Sequence, residues 1–287
     1  MFTKAIVRTP AGNFAQGLTT VDLGVPDYDL ALRQHARYCD ALRECGLAIT
    51  TLPADPAYPD STFVEDTAVL TGRLAVLTRP GAAGRQGEVA AIAPVINRFF
   101  PSTVTIEPPG TLDAGDVCEA EKHFFIGLSQ RTNEEGAAQL AAHLARVGYT
   151  ASCVDIRAMD SILHLKSGVC YIGDNTLVVI EEMADYEQFR AYDRISVSAE
   201  ESYAANCVRV NDRVLVAAGF PRVLAALSSR GFNPLVLEMS EFRKMDGGLS
   251  CLSLRFWQEA FSPQRTRRAQ RKNNKNILPL ISADERR

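Results

Sequence analysis

One local pattern recurs five times along this chain, and a repeat of that kind leaves few architectures open. The anchors are FVEDTAV at 63–69, DAGDVCE at 113–119, LKSGVCY at 165–171, AANCVRV at 204–210 and GLSCLSL at 248–254. Asp66, Asp116, Gly168, Cys207 and Cys251 occupy the corresponding slot. Each anchor opens a strand pair. In CEAEKHFFIGL the polar Glu121 and Lys122 make the turn, and in CYIGDNTLVVI Gly173, Asp174 and Asn175 do. A helix and a third strand are expected to follow. The helical pattern is Val89, Ile92, Ile96 and Phe99 after the first pair, Ala137, Leu140, Ala141 and Leu144 after the second, and Val223, Leu224 and Leu227 after the fourth. Pro94 is expected to kink the first of these helices. The apolar runs VTI, CVDI, ISV and LVL then close the units.

The fifth unit contributes only a first strand, Leu252 to Phe256, and its missing parts sit at the other end of the chain. There, Ala5, Ile6 and Val7 form a strand, Tyr28 to Cys45 a helix with Ala31, Leu32, His35, Cys39 and Leu42 on one face, and Ala48 to Leu52 another strand. Anchor spacings of about 39 to 52 residues fall in the range of propellers and solenoids. The expected fold is therefore an α/β five-bladed ββαβ propeller with pseudo-fivefold symmetry. Its ring would be closed by pairing the N- and C-terminal segments. A coincidental alternation of strands and helices is the competing reading.

With 287 residues, 46% of them hydrophobic, the chain can bury a large core. No linker divides it before residue 257, so residues 1–256 are expected to form one domain. The remainder, 257–287, carries Arg265, Arg267, Arg268, Arg271, Lys272 and Lys275 in a polar context and reads as a basic, disordered extension. Such a run can attract phosphates, but without interleaved aromatics nucleic acid is not favoured as a partner. MFTKAIVRTP is no signal peptide, and no segment approaches eighteen uninterrupted apolar residues, so no membrane association and a cytoplasmic location are expected. Seven cysteines with no C-x-x-C, and no paired histidines, point to free thiols and to no metal site. Cys118, Cys170 and Cys207 fall on expected core strands and Cys39 and Cys45 on or beside a helix, where thiols act as small hydrophobes.

In a ring of repeats the equivalent strand ends converge near the axis, so anchors distant in sequence become neighbours. Cys251 follows Asp246, Gly247 and Gly248, His164 stands just ahead of the third anchor, and Asp113 just ahead of the second. A thiol, an imidazole and a carboxylate make the nucleophile, base and orienter of cysteine hydrolases. Taken alone, each is an ordinary structural residue. Asp60, Glu65 and Asp66 add negative charge at an apolar strand entry. Burying them requires arginine partners, solvent or a cationic ligand, and a guanidinium offers five planar donors for carboxylates. Arg85 and Arg131 follow the first and second hairpins, either as surface arginines at helix starts or as a clamp on a substrate carboxylate.

These residues sit in the motifs RTP, PDSTFVED, LTRPGA, TLDAGD, HFFIGLSQRTN, LHLKSG, SYAANC, SEFRKMDGG and LSCLSLRF, in that order over nearly all of residues 1–256. In them the chain resembles the dimethylarginine dimethylaminohydrolase family of the pentein superfamily. The resemblance implies that Cys251 is the nucleophile, His164 the general acid and base, and Asp113 the carboxylate that orients it. It further implies that Asp60, Glu65 and Asp66 contact the guanidinium, that Arg85 and Arg131 hold the α-carboxylate, and that Leu18 lies on a mobile loop hinged by Gly12, Gly17 and Gly24. Backbone carbonyls near Met245 and Asp246 would take the α-amino group. The implied reaction converts methylated arginines to citrulline and an amine with no metal or organic cofactor, in a protein that pairs as a homodimer. An arginine deiminase, a hydrolase of another ω-substituted guanidine and a non-catalytic ribosome-binding propeller are the alternatives. The compact chain and the retained thiol, imidazole and acids weigh against them.

Overall fold

The middle strand of every unit is apolar on both faces, which only a strand covered on both sides tolerates. In the computed structural model, which describes residues 1–100 and 102–257, the chain starts with β1 (Lys4–Arg8), helix α1 (Tyr28–Glu44) and β2 (Ala48–Leu52). The first complete unit holds β3 (Ala68–Leu70), β4 (Ala75–Leu77), α2 (Glu88–Ile96) and β5 (Thr103–Thr105). The second holds β6 (Val117–Ala120), β7 (His123–Leu128), α3 (Glu134–Ala145) and β8 (Thr150–Asp155). A single turn, α4 (Leu165–Gly168), leads into β9 (Val169–Gly173), β10 (Thr176–Ile180) and β11 (Asp193–Val197). Then come β12 (Val208–Val210), β13 (Arg213–Ala217), α5 (Pro221–Ser229), β14 (Pro234–Leu237), the turn α6 (Ser240–Arg243) and β15 (Leu254–Phe256).

Five three-stranded sheets result, ordered β15-β1-β2, β3-β4-β5, β6-β7-β8, β9-β10-β11 and β12-β13-β14. In each, the first and middle strands run antiparallel and the third runs parallel to the middle one. A tight turn suffices for the first pairing, whereas the second needs a crossover. Helices α1, α2, α3 and α5 supply it. The third unit departs from the expected pattern, crossing instead by two 3-10 turns at Glu181–Met183 and Glu187–Phe189, with Met183 and Phe189 buried beneath them. That connection carries two apolar anchors six residues apart, too sparse for a helical stripe. Pro94 sits inside α2, which runs on to Ile96.

The sheet of the fifth unit joins both ends of the chain, with Lys4 opposite Phe256, Ala5 opposite Arg255 and Ile6 opposite Leu254. Its first strand starts at Leu254 rather than Leu252, because Leu252 still belongs to the preceding turn and pairing with β1 begins at Leu254 opposite Ile6. Glu121, Asp174 and Asn175 adopt positive φ, as the two hairpin turns require. Helix α1 is capped by Asp27, whose side chain accepts from Leu30 N at 2.8 Å. It buries Ala31, His35, Cys39 and Leu42 as expected, with Gln34 and Tyr38 in addition, while Leu32 is only half-buried. Tyr38 donates to Leu249 O and pairs with Ser253 Oγ.

Hydrogen bonds also tie each anchor to the next. Gly115 N donates to Asp66 Oδ1, Leu165 N to Asp116 Oδ1, Asn206 Nδ2 to Lys166 O, Ser250 N to Asn206 Oδ1 and Glu65 N to Cys251 O. Among the described residues no helix is long and apolar enough to cross a membrane. The extension expected from residue 257 lies outside the described residues except for Trp257.

Candidate active site

Short helical turns stand just ahead of four first strands, at Val64–Thr67, Ala114–Asp116, Leu165–Gly168 and Ala199–Ala205. The motifs had suggested strands beginning directly at the anchors. Around these turns the anchors place ten of the eleven expected site residues on one cavity of 170 Å³: Leu18, Asp60, Asp66, Arg85, Asp113, Arg131, His164, Met245, Asp246 and Cys251. Glu65 is the exception. Its carboxylate bonds to Lys166 Nζ at 2.6 Å, Arg255 at 3.3 Å and Ser250 Oγ at 2.7 Å, and it borders a second cavity behind the anchors. The expected contact of Glu65 with a guanidinium is therefore already taken by cations of the chain itself.

His164 Nε2 lies 3.0 Å from Asp113 Oδ2, and both groups are buried. Gly81 N donates to the other oxygen of Asp113 at 2.8 Å, and Asp113 N donates to Thr132 Oγ1. Thr132 in turn donates to Asp116, the residue whose second oxygen accepts from Leu165 N, next to the imidazole. One network of buried hydrogen bonds thus sets both members of the pair.

Burial opposes a charge on His164, but Asp66, the hydrogen bond His164 donates to Asp113 and the nearby Asp116 prevail and raise its pKa to about 9. Asp66 shows the converse: burial works against its charge, yet His164 and Arg85 hold it down at about 2. The Cys251 thiol is pushed up to about 12 by burial first and then by the Glu65 and Asp66 carboxylates. Gly248 N donates to its sulfur at 3.4 Å. At neutral pH the imidazole is consequently protonated and the thiol neutral.

The carboxylates are less bare than the sequence suggested. Arg85 donates through NH1 to Asp66 at 2.6 Å and through Nε and NH2 to both oxygens of Glu88. Burial raises the pKa of Glu88 to about 7 even against the pull of Arg85. Arg131 reaches the cavity with no ion-pair or side-chain hydrogen-bond partner among the described residues. Asp66, Asp113 and His164 present ligand atoms within 4.8 Å of one another. Asp66 is engaged by Arg85 and Asp113 by a protonated imidazole, however, so the trio is an internally matched set and a poor cradle for a metal ion.

The loop over the cavity is held by two acids. Leu18 N donates to both oxygens of Asp60, at 3.1 and 3.0 Å, and Thr20 donates to Asp246 through its amide and its hydroxyl. Gly17 must be glycine here, since a Cβ would overlap Asp60. Leu18 itself is half exposed at the rim. Sequence reasoning missed Thr20, Glu88 and Lys166. Only Glu88 left a signal, lying three residues after Arg85 at a helix start.

No protein-family model matches the chain. It is 46% identical to an N(G),N(G)-dimethylarginine dimethylaminohydrolase of Pseudomonas aeruginosa, over 89% of this chain and 100% of that protein. The chain belongs to the dimethylarginine dimethylaminohydrolase family. A second dimethylarginine dimethylaminohydrolase, from Streptomyces coelicolor, is 36% identical over 88% of this chain and 96% of its own length. Among solved structures, a cysteine-to-serine mutant of a Pseudomonas aeruginosa dimethylarginine dimethylaminohydrolase, complexed with citrulline, superposes with a TM-score of 0.87. It is 45% identical, covering 89% of this chain and all of that one. The resemblance to the dimethylarginine dimethylaminohydrolase family read from the motifs is thereby borne out.

Proposed function

We propose that this chain hydrolyses Nω-methylated arginines to citrulline and dimethylamine or methylamine, with Cys251 as nucleophile. The observation that carries the reading is the 170 Å³ cavity in which the His164–Asp113 pair, Cys251 and Asp66 meet under the Leu18 loop. Asp60 and Asp66 face the guanidinium, and each oxygen of Asp66 keeps a free lone pair beyond its present partner. Arg131, whose guanidinium has no ion-pair partner among the described residues, takes the α-carboxylate with Arg85 beside it. Met245 and Asp246 take the α-amino group.

The chemistry follows from the charges. A guanidinium carbon is shielded by resonance, so attack needs a thiolate aimed in line. The arriving cation favours ionisation of Cys251, whose proton the free enzyme retains and which passes to solvent on binding, because His164 is already protonated. Sulfur then bonds to the guanidinium carbon. His164, already protonated, gives its proton to the departing amine as the carbon–nitrogen bond breaks, leaving a thiouronium on Cys251. The neutral imidazole next removes a proton from water, whose oxygen attacks that carbon. The carbon–sulfur bond breaks, and citrulline and the thiol are released. General acid and base help of this kind is worth about 10² to 10⁴ in rate. Asp113 keeps the imidazole oriented throughout and favours its charged form before and after that exchange.

The five sheets are proposed to close into one pentein ring spanning residues 1–256. The β1–β15 pairing and the hydrogen bonds from each anchor to the next support that closure. Seven free cysteines support a reducing, cytoplasmic setting. Citrulline and amine release should be measured on arginine, monomethylarginine and the two dimethylarginines. The reading expects citrulline from methylated substrates and little from arginine. Turnover of arginine alone would reassign the chain to the deiminases, and citrulline formation by Cys251→Ser would overturn the covalent route.

A further inference from the structure

Arg85 and Arg131 border the same cavity but are held in different ways. Arg131 has no ion-pair partner among the described residues, whereas Arg85 is buried and fastened along one whole edge. Its Nε donates to Glu88 Oε1 at 2.9 Å and its NH2 to Glu88 Oε2 at 2.8 Å, the fork that fixes a guanidinium in orientation as well as in place. NH2 also donates to Phe63 O at 3.2 Å, with Asp60 O farther off at 3.4 Å, and NH1 donates to Asp66 Oδ2 at 2.6 Å. A guanidinium has five N–H donors, one on Nε and two on each terminal nitrogen. Glu88, Phe63 and Asp66 engage four of them, so the single donor left is on NH1. Glu88 lies outside the cavity lining, buried in the first turn of α2. The start of that helix is set by two close fits: at Gly87 a Cβ would overlap the Tyr58 hydroxyl, and Gln86 donates to Pro80 O at 3.0 Å.

We infer that Glu88 is a positioning residue for substrate recognition, acting through Arg85 by locking its guanidinium so that the one uncommitted N–H is presented to the substrate α-carboxylate. The inference rests on the reading that Arg85 stands beside that carboxylate. An unrestrained arginine loses rotamer freedom when it grips an anion, but Arg85 has lost it already on folding, so the carboxylate meets a donor that is pre-organised. Arg131 supplies the adaptable half of the clamp. A neutral group in place of Glu88 could not do the same. Glutamine accepts only one of the two parallel donors and turns its own NH2 against the other. Arg85 would then be free to turn both terminal nitrogens toward Asp66, which it already touches, and away from the substrate carboxylate.

The test compares monomethylarginine with methylagmatine, which keeps the guanidine and the primary amine but lacks the carboxylate, on the full-length parent and on Glu88→Gln. Methylagmatine is read as an inhibitor of monomethylarginine turnover, whether or not it reacts. KM for monomethylarginine should rise roughly 10- to 100-fold, the effect of losing a hydrogen bond to a charged group, while kcat changes by under about threefold. The inhibition constant of methylagmatine should also move by under about threefold. Adding Glu88→Gln to Arg85→Gln should cost nothing further, because its route to the substrate is gone. Where Glu88→Gln fails to fold, Glu88→Asp, which keeps the charge and shortens the reach, is judged by the same ratio. An equal loss for both ligands would mean that Glu88 serves the guanidinium end or the fold, and no change in either that Arg85 aims itself; each overturns the inference. If the parent turns over arginine and not its methylated forms, the proposed function fails, while the ratio taken with arginine and agmatine still decides on Glu88.

Discussion

Replacing Asp113 by asparagine isolates the one interaction on which the charge of His164 depends most directly. Shape is kept, but a buried carboxylate 3.0 Å from Nε2 becomes a neutral amide. Gly81 N holds the other oxygen of Asp113, so the amide oxygen stays with Gly81 and the amide nitrogen turns to His164. Two donors then face each other, which favours the unprotonated ring. A hydrogen bond to a charged group contributes about 1.5–3 kcal/mol, equivalent to one to two pKa units. His164 should accordingly fall from about 9 to roughly 7–8, with Asp66 and Asp116 sustaining the remainder.

Histidine-labelled protein followed by NMR against pH reads this directly, since the chain has four histidines and His164→Gln identifies the signal. The alkaline limb of turnover should move down with it. Stability carries the same signature. A histidine raised from 6.5 to about 9 contributes stability fully present below pH 6.5 and lost as pH rises through 9. For His164 that contribution is about 3 kcal/mol, and Asp113→Asn should remove roughly two fifths to four fifths of the loss seen on moving from pH 6.5 to 9.5. If His164 in the variant titrates within half a unit of the parent, the carboxylate does not hold the charge and the assignment of Asp113 is wrong.

Iodoacetamide should label Cys251 of the free enzyme at pH 7 about 10²-fold more slowly than an ordinary thiol, because its low thiolate fraction outweighs the greater nucleophilicity of a basic sulfur. Mass mapping should show the rate rising about tenfold per pH unit; labelling as fast as free cysteine would contradict a protonated resting thiol. Lys166→Met leaves Glu65 with Arg255 as its remaining cation and should cost roughly 3 kcal/mol in denaturant unfolding. Gly17→Ala drives a Cβ into Asp60 and should raise KM through the Leu18 loop while changing the unfolding midpoint little. Truncation after Trp257 should leave turnover unchanged; a loss would draw the basic extension into the site.

What could be read from the chain alone and what could not divide along a physical line. Apolar runs, turn residues and the helix face of Ala31, His35, Cys39 and Leu42 are local properties, and the strands and that helix formed within a few residues of their patterns, with short helical turns added ahead of four first strands. The thiol, imidazole and carboxylate were likewise legible, because each occupies a position defined relative to its own anchor. Pairings between units were not. That Glu65 would be met by Lys166 and Arg255 depends on how far each unit is rotated from the next, and no spacing within a unit encodes that angle. Adjacent acids in the motif FVED looked interchangeable as guanidinium ligands. Yet Val64–Thr67 is a 3-10 turn, and at three residues per turn successive side chains project about 120° apart, so Glu65 and Asp66 face different directions. Ser250 and Cys251, also in a turn, part in the same way, setting the Cys251 cavity and a thiol-lined one back to back across a single layer of chain.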